Sequence, residues 1–219
     1  MQDSLTGQLL VASASVTDPM YANGVCLIVH EDGTRVIGVM LNRPLQSNAQ
    51  ALKKILDENN LSMPSEPSNR CTSGKMQTET IDSGEANSPK SNQGLSLPAK
   101  SLHFGGPLSG PIVALHRISD YAEVETGDGI YVAAQKDHLI DLIRHPNEPC
   151  RLIVGHLEWQ AEELHAEIED GIWHLVPARV DDVFSSAMEM WPGIIRWATS
   201  TSLAKWIGVP DANAIGELN

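Results

Sequence analysis

The sequence predicts an α+β fold: a mixed or antiparallel, strongly bent sheet with helices packed outside it. Three observations carry this reading. Strand-like and helix-like segments interleave along the whole chain, so both must share one core. The first two long apolar runs, 25–30 (VCLIVH) and 36–41 (VIGVML), are joined by Glu31, Asp32, Gly33 and Thr34, a hairpin connection. A hairpin rules out a purely parallel doubly wound sheet. Residues 155–173 (GHLEWQAEELHAEIEDGIW) read as a strand end, a helix and a strand start.

The elements follow in order. Residues 8–12 (QLLVA) form a short apolar strand. Thr17, Asp18 and Pro19 make a helix-start signal that the next glycine limits to a turn or two. After the hairpin, Pro44 stops the second run, because proline cannot donate to a ladder. Residues 47–59 carry Leu52, Ile55 and Leu56 at helical spacing. From about 60 to 100 the chain is rich in Ser, Asn, Pro, Gly and Thr without apolar period. Such composition cannot bury enough surface to offset chain entropy, so we read a mobile surface insertion within one domain spanning 1–219. Strands return at 102–104, 112–116 and 130–133, a helix at 136–145, and a buried-type strand at 151–154. In 155–173, Leu157, Ala161, Leu164 and Ile168 fall on one helical stripe, and Gly171 stands where a C′ glycine ends a helix. Residues 172–176 alternate as a strand, 181–187 are helical, and a last helix covers 194–206. Trp191, beside Pro192 and Gly193, breaks the pattern and reads as a possible exposed contact residue.

Bulk properties narrow the function. The chain has 219 residues, 42% of them hydrophobic, and a formal net charge of −13. Its basic residues are scattered, which disfavours direct nucleic-acid binding, since phosphate contacts need clustered Lys and Arg. No apolar run is long enough to span a bilayer, and no basic n-region precedes the first apolar run, so a cytoplasmic location is expected. Cys26, Cys71 and Cys150 form no CxxC pair, which removes the common zinc-ribbon and thioredoxin readings.

The landmarks also carry a resemblance. They are LLVASASVTDPMY from residue 9, Leu41-Asn42-Arg43-Pro44, Phe104-Gly105-Gly106-Pro107, His116, GIYVAA followed by KDHL, and GHLEW from residue 155. Residues 164–167, 171–173, 176–178 and 204–209 continue the series. In this order and spacing the chain resembles the YqgE/AlgH family, an uncharacterised bacterial group sometimes labelled transcriptional regulators. The resemblance implies a bifurcated sheet curled into a pseudo-barrel, a regulatory role, and no established catalytic residues. The chain departs from the family pattern at Ala14, His156, Glu162 and Glu163, in the length of 60–100, and in a shortened stretch before His116.

Each candidate site in the sequence competes with a structural role for the same residues. Glu162 and His165 at i,i+3, with His156 and Glu158, suggest a metal site, but no other helix supplies a matching pair and a solvated acidic face is the better reading. No G-x-S-x-G or H-E-x-x-H is present, so no catalytic residue is assigned. Gly105, Gly106 and Pro107 can present backbone N–H groups to a partner, and Asn42, Arg43 and Pro44 end a strand at a sheet rim. With His103 and His116 they make the candidate binding set. The competing role for these residues is turn chemistry, with Arg43 bonded to backbone carbonyls. The expectation is a non-catalytic, cytoplasmic regulatory or interaction protein, monomeric or weakly oligomeric, without cofactor or metal. Its contact would be an unknown protein or small ligand at these rims. The alternative is an enzyme or small-molecule sensor using the same cleft.

Overall fold

Alternating apolar residues and tight turns produce eleven short strands in the computed structural model, which describes residues 4–45, 101–145 and 147–207. The helix expected over 47–59, the 60–100 insertion, Cys71 and the tail beyond 208 lie outside the described residues. Strands β1 (Gln8–Ala12), β2 (Val25–Glu31), β3 (Arg35–Met40), β10 (Leu157–Gln160) and β11 (Trp173–Pro177) form one antiparallel sheet, ordered β10-β3-β2-β1-β11. Strands β4 (Pro44–Leu45), β5 (Leu102–Phe104), β6 (Val113–His116), β7 (Val124–Gly127), β8 (Ile130–Ala133) and β9 (Cys150–Val154) form a second, ordered β4-β5-β9-β6-β8-β7. It is mixed, because β5 and β9 run parallel.

The α+β class and the mixed, bent β-structure therefore hold. The two sheets are not closed into a barrel. They join at a corner where the chain passes twice between them, from β3 through Leu41, Asn42 and Arg43 into β4, and from β9 through Gly155 and His156 into β10. Gly105 ties the corner: its N–H donates to the Val154 carbonyl at 2.7 Å, and its own carbonyl accepts from Met40 at 2.8 Å.

Three apolar layers result. The central one lies between the sheets, with Leu9, Leu27, Val39 and Val176 facing Leu115, Ile130 and Ile153. Helices α3 (Val180–Val183) and α4 (Ala187–Ile207) close it with Val183, Met190, Ile194 and Ala198. Helix α1 (Lys136–Arg144) covers the outer face of the second sheet through Leu139, Leu142 and Ile143. Helix α2 (Ala161–Glu169) covers the outer face of the first through Leu164.

Two elements differ from the sequence reading. Residues 157–160 are a full strand paired to β3 before α2 begins, with Leu157 opposite Gly38 and Trp159 opposite Val36. Leu157 and Trp159 point inward while Glu158 and Gln160 are exposed, a period of two within what reads as a helical stripe. Helix α4 starts at Ala187, so Pro192 and Gly193 lie inside it. Proline there deprives the Met188 carbonyl of its helical donor, and Met188 is 87% exposed, so water can serve instead. Trp191 is half-buried against the central core, and its indole donates to the Ala12 carbonyl at 2.8 Å. It is a packing residue rather than an exposed anchor.

Gly171 ends α2 as expected, at φ +72° with its N–H on the Ile168 carbonyl. It turns the chain into β11, where buried Trp173 stacks edge-on against both Tyr21 and Trp159 and donates to Glu167 Oε2 at 2.9 Å. Trp173→Phe keeps an aromatic ring but loses the donor and part of the volume. We expect a loss of about 1–2 kcal/mol in urea unfolding with an unchanged m-value.

Candidate functional site

Asn42 and Arg43 follow β3 at the corner, where the chain changes sheet. Asn42 Oδ1 accepts from the Val25 N–H at 3.1 Å and its Nδ2 donates to the Asn23 carbonyl at 2.8 Å. Arg43 donates from Nη2 to the carbonyls of Met20 and Ala22, and from Nη1 to the carbonyl and Oδ1 of Asn42. Both side chains thus hold the 18–24 turn against the end of β3. Pro44 then pairs with His103 across β4 and β5.

Gly105 and Gly106 are buried, while Pro107 is exposed. A Cβ at Gly105 would fall closer than 3.0 Å to the Gly155 carbonyl oxygen, and one at Gly106 as close to the His156 carbonyl. Glycine is needed here so that two backbones can touch. The bonds Leu108 N–H to His156 carbonyl and His156 N–H to Leu108 carbonyl, at 3.1 and 3.0 Å, fasten the same crossing.

The register separates the two candidate histidines. His103 pairs with Ile153, and Arg151 pairs with Leu115, so both face the central core. His116 pairs with Cys150 and lies on the opposite face. Its Nδ1 accepts from the Ile118 N–H at 3.3 Å, and its ring leans on Tyr131. The chain therefore brings Asn42, Arg43, Pro44, His103, Gly105 and Gly106 to one corner and leaves His116 behind the sheet.

At that corner a cavity of about 330 Å³ opens between β4, β5, β9 and the α3–α4 junction. Pro44, Ser101, His103, Arg151, Phe184, Ser185, Ser186 and Ala187 are among its lining residues. Arg151 is its centre. It is 6% exposed, and it donates to the carbonyls of Val183, Leu41 and Ser185 and to His103 Nε2, the last at 2.6 Å. Burial draws its pKa down to about 10, so it stays charged at neutral pH. No carboxylate among the described residues pairs with it. His103 must be neutral to accept this bond, which puts its proton on Nδ1, an atom with no hydrogen-bond partner. Burial, and then the Arg151 charge, push its pKa down to about 4. Backbone groups of Ser101 and Leu152 near the ring pull the other way without giving Nδ1 a proper hydrogen bond.

Glu162, Glu163 and His165, on α2, stand apart from the cavity. His165 Nδ1 lies 2.6 Å from the Ala161 carbonyl within its own helix, and Glu162 and Glu163 face solvent. Among the described residues no three His, Cys, Asp or Glu are grouped to share a metal ion.

The profile of the family described as AlgH-like matches residues 9–200, nearly the whole chain. The chain belongs to the AlgH-like, or YqgE/AlgH, family. AlgH-like relatives include a UPF0301 protein of Xylella fastidiosa, 27% identical over 196 residues, 89% of this chain and 86% of that protein. A UPF0301 protein of Thermobifida fusca is also 27% identical, over 88% of this chain and 86% of its own length. Two solved structures share the fold. The solution structure of the AlgH protein from Pseudomonas aeruginosa superposes with a TM-score of 0.57 at 19% identity, covering 100% of this chain and 97% of that one. A crystal structure of a Corynebacterium diphtheriae protein gives 0.60 at 18% identity, covering 90% and 88%.

In this AlgH-like chain, sequence reasoning reached Pro44 and His103 but missed Arg151, Phe184, Ser185 and Ser186. A signal for Arg151 exists: it is the one charge inside the apolar run CRLIV. A charge in a strand buried on both faces needs a reason. The α3–α4 wall has no comparable mark.

Proposed function

We propose that this protein is a non-catalytic regulatory protein of the cytoplasm that acts by binding a small ligand in the Arg151 cavity. The carrying observation is that cavity, about 330 Å³ around a nearly buried arginine, at the corner where Pro44 and His103 meet. Its volume falls within the range of small-molecule sites. Asn42, Arg43, Gly105 and Gly106 serve the site by fixing the corner rather than by touching the ligand. A base for catalysis is poorly served here. His103 Nε2 is taken by Arg151, its Nδ1 is buried, and a pKa near 4 makes it a weak proton acceptor at neutral pH. Among the described residues no helix is long and apolar enough to cross a membrane, and the net charge of −13 opposes direct nucleic-acid contact.

A thermal-shift screen of a metabolite collection tests the reading. At least one compound should raise the melting temperature of the wild type in a saturable manner. The same compound should fail on Ala187→Phe, which fills the cavity from its rim. If no compound acts, or if the variant responds equally, the cavity is not a ligand site.

A further inference from the structure

We propose that the ligand of this cavity is an oxyanion: a small molecule presenting a carboxylate or phosphate group to Arg151. This rests on the reading above and adds its chemical class.

Charge carries the inference. The chain holds 28 acidic residues against 15 Lys and Arg, yet among the described residues Arg151 is the only charged one lining the cavity. A guanidinium taken out of water is costly unless its charge is matched. Four of its five N–H groups meet three carbonyls and a neutral imidazole, which satisfies those donors while no described residue compensates the charge. One Nη2 proton remains unassigned among the described residues.

The second source of positive potential is helix α4. It runs 21 residues, and its first residue, Ala187, lines the cavity with Ser185 and Ser186. The first N–H groups of a helix have no partner within it, and its N-terminal end carries partial positive charge. Glu189 and Met190 already donate to the Ser186 carbonyl, so the donors left for a ligand are those before them. The hydroxyl of Ser186 makes no hydrogen bond among the described residues and adds another.

The third observation is His103. It lines the cavity and is 2% exposed, and its neutral ring, held by Arg151 at Nε2, brings no second charge to the wall. A buried arginine and a helix start both favour an acceptor-rich, negatively charged group, and neither favours a cation.

The test uses the full chain, ¹⁵N-labelled, titrated with sodium phosphate and sodium acetate at constant ionic strength, with acetamide as the neutral counterpart. Saturable shifts of the Arg151 Nε–H and of the Ser186 and Ala187 amides are expected with phosphate or acetate and not with acetamide. Ala187→Phe should weaken that response at least tenfold without altering Arg151. The His103 titration midpoint should rise when the anion is bound, because the anion offsets the Arg151 charge. The two sources separate in the same experiment, since a phosphate site responds to phosphate at much lower concentration than to acetate, and a carboxylate site the reverse. A response to acetamide of equal strength, no saturable response to either anion, or an unchanged response in Ala187→Phe would each overturn the proposal. If the anions fail while a neutral or cationic metabolite still stabilises the wild type, the anion class falls and the cavity stands as a ligand site. If nothing stabilises it, both fall.

Discussion

Gly105→Val should lower the stability of this protein by about 4 kcal/mol or more, the range reserved for substitutions that break a packed backbone. For a chain of this size that corresponds to a melting temperature lower by roughly 10–15 °C. Gly105 is the residue through which the two sheets exchange hydrogen bonds, with Val154 on one side and Met40 on the other. A Cβ there meets the Gly155 carbonyl oxygen and Ile153 Cγ2 inside 3.0 Å. A flexible side chain could swing away, but a carbonyl held in a crossing cannot. Relief requires the β9–β10 crossing to move, and with it the Leu108–His156 pairing. The internal contrast is Gly193, inside α4, where an added Cβ meets nothing within 4 Å. Gly193→Ala should raise stability by roughly 0.5–1 kcal/mol, because alanine loses less backbone entropy in a helix. Calorimetry of both variants checks the pair. Two equal, small shifts would mean that the corner is not built as described.

Features that depend on neighbouring residues were legible in the sequence. The hairpin of β2 and β3, the Gly171 helix end and the apolar stripe through Leu164 and Ile168 all rest on local geometry, and all appear as read. Features that depend on register were not. Nothing in the spacing of His103 and His116 says that they lie on opposite faces; that follows from Ile153 and Cys150, their partners on β9. Gly105 and Gly106 read as a turn that ends a strand, and local chemistry could not reveal a second backbone, 50 residues on, packed against them. The β10 strand was hidden because Leu157 fits a helical period as well as an alternating one. Arg43 and Arg151 illustrate the same division. Arg43, beside a proline at a strand end, looks like the presented charge, yet its guanidinium is spent on carbonyls of the 18–24 turn. Arg151 looks like an interruption in a strand, yet the α3–α4 junction, more than 30 residues away, gives it a cavity.

Between pH 6.5 and 4 the protein should lose about 3 kcal/mol through His103 alone, an order-of-magnitude value from the depressed pKa. The unfolded chain binds a proton on this histidine near pH 6.5, whereas the folded chain resists until about pH 4. Over that window the unfolded state carries more protons, so stability falls as pH falls. Above 6.5 both states are neutral and the contribution is complete. The physical causes are burial of the ring and then the Arg151 guanidinium, 2.6 Å from Nε2: protonating His103 would turn an acceptor into a second cation facing the first. Burial lowers His116 and His174 as well, and their contributions carry the same sign. His103→Gln isolates the effect, because a side-chain amide oxygen can still accept from Arg151 but has no proton to gain. Urea unfolding of wild type and variant at pH 7 and pH 5 should show a clearly shallower fall for the variant. Parallel pH curves would show that neither burial nor Arg151 holds His103 neutral. That outcome would also weaken the case that the Arg151 charge is felt inside the cavity, so the pH profile bears on the ligand as well as on the fold.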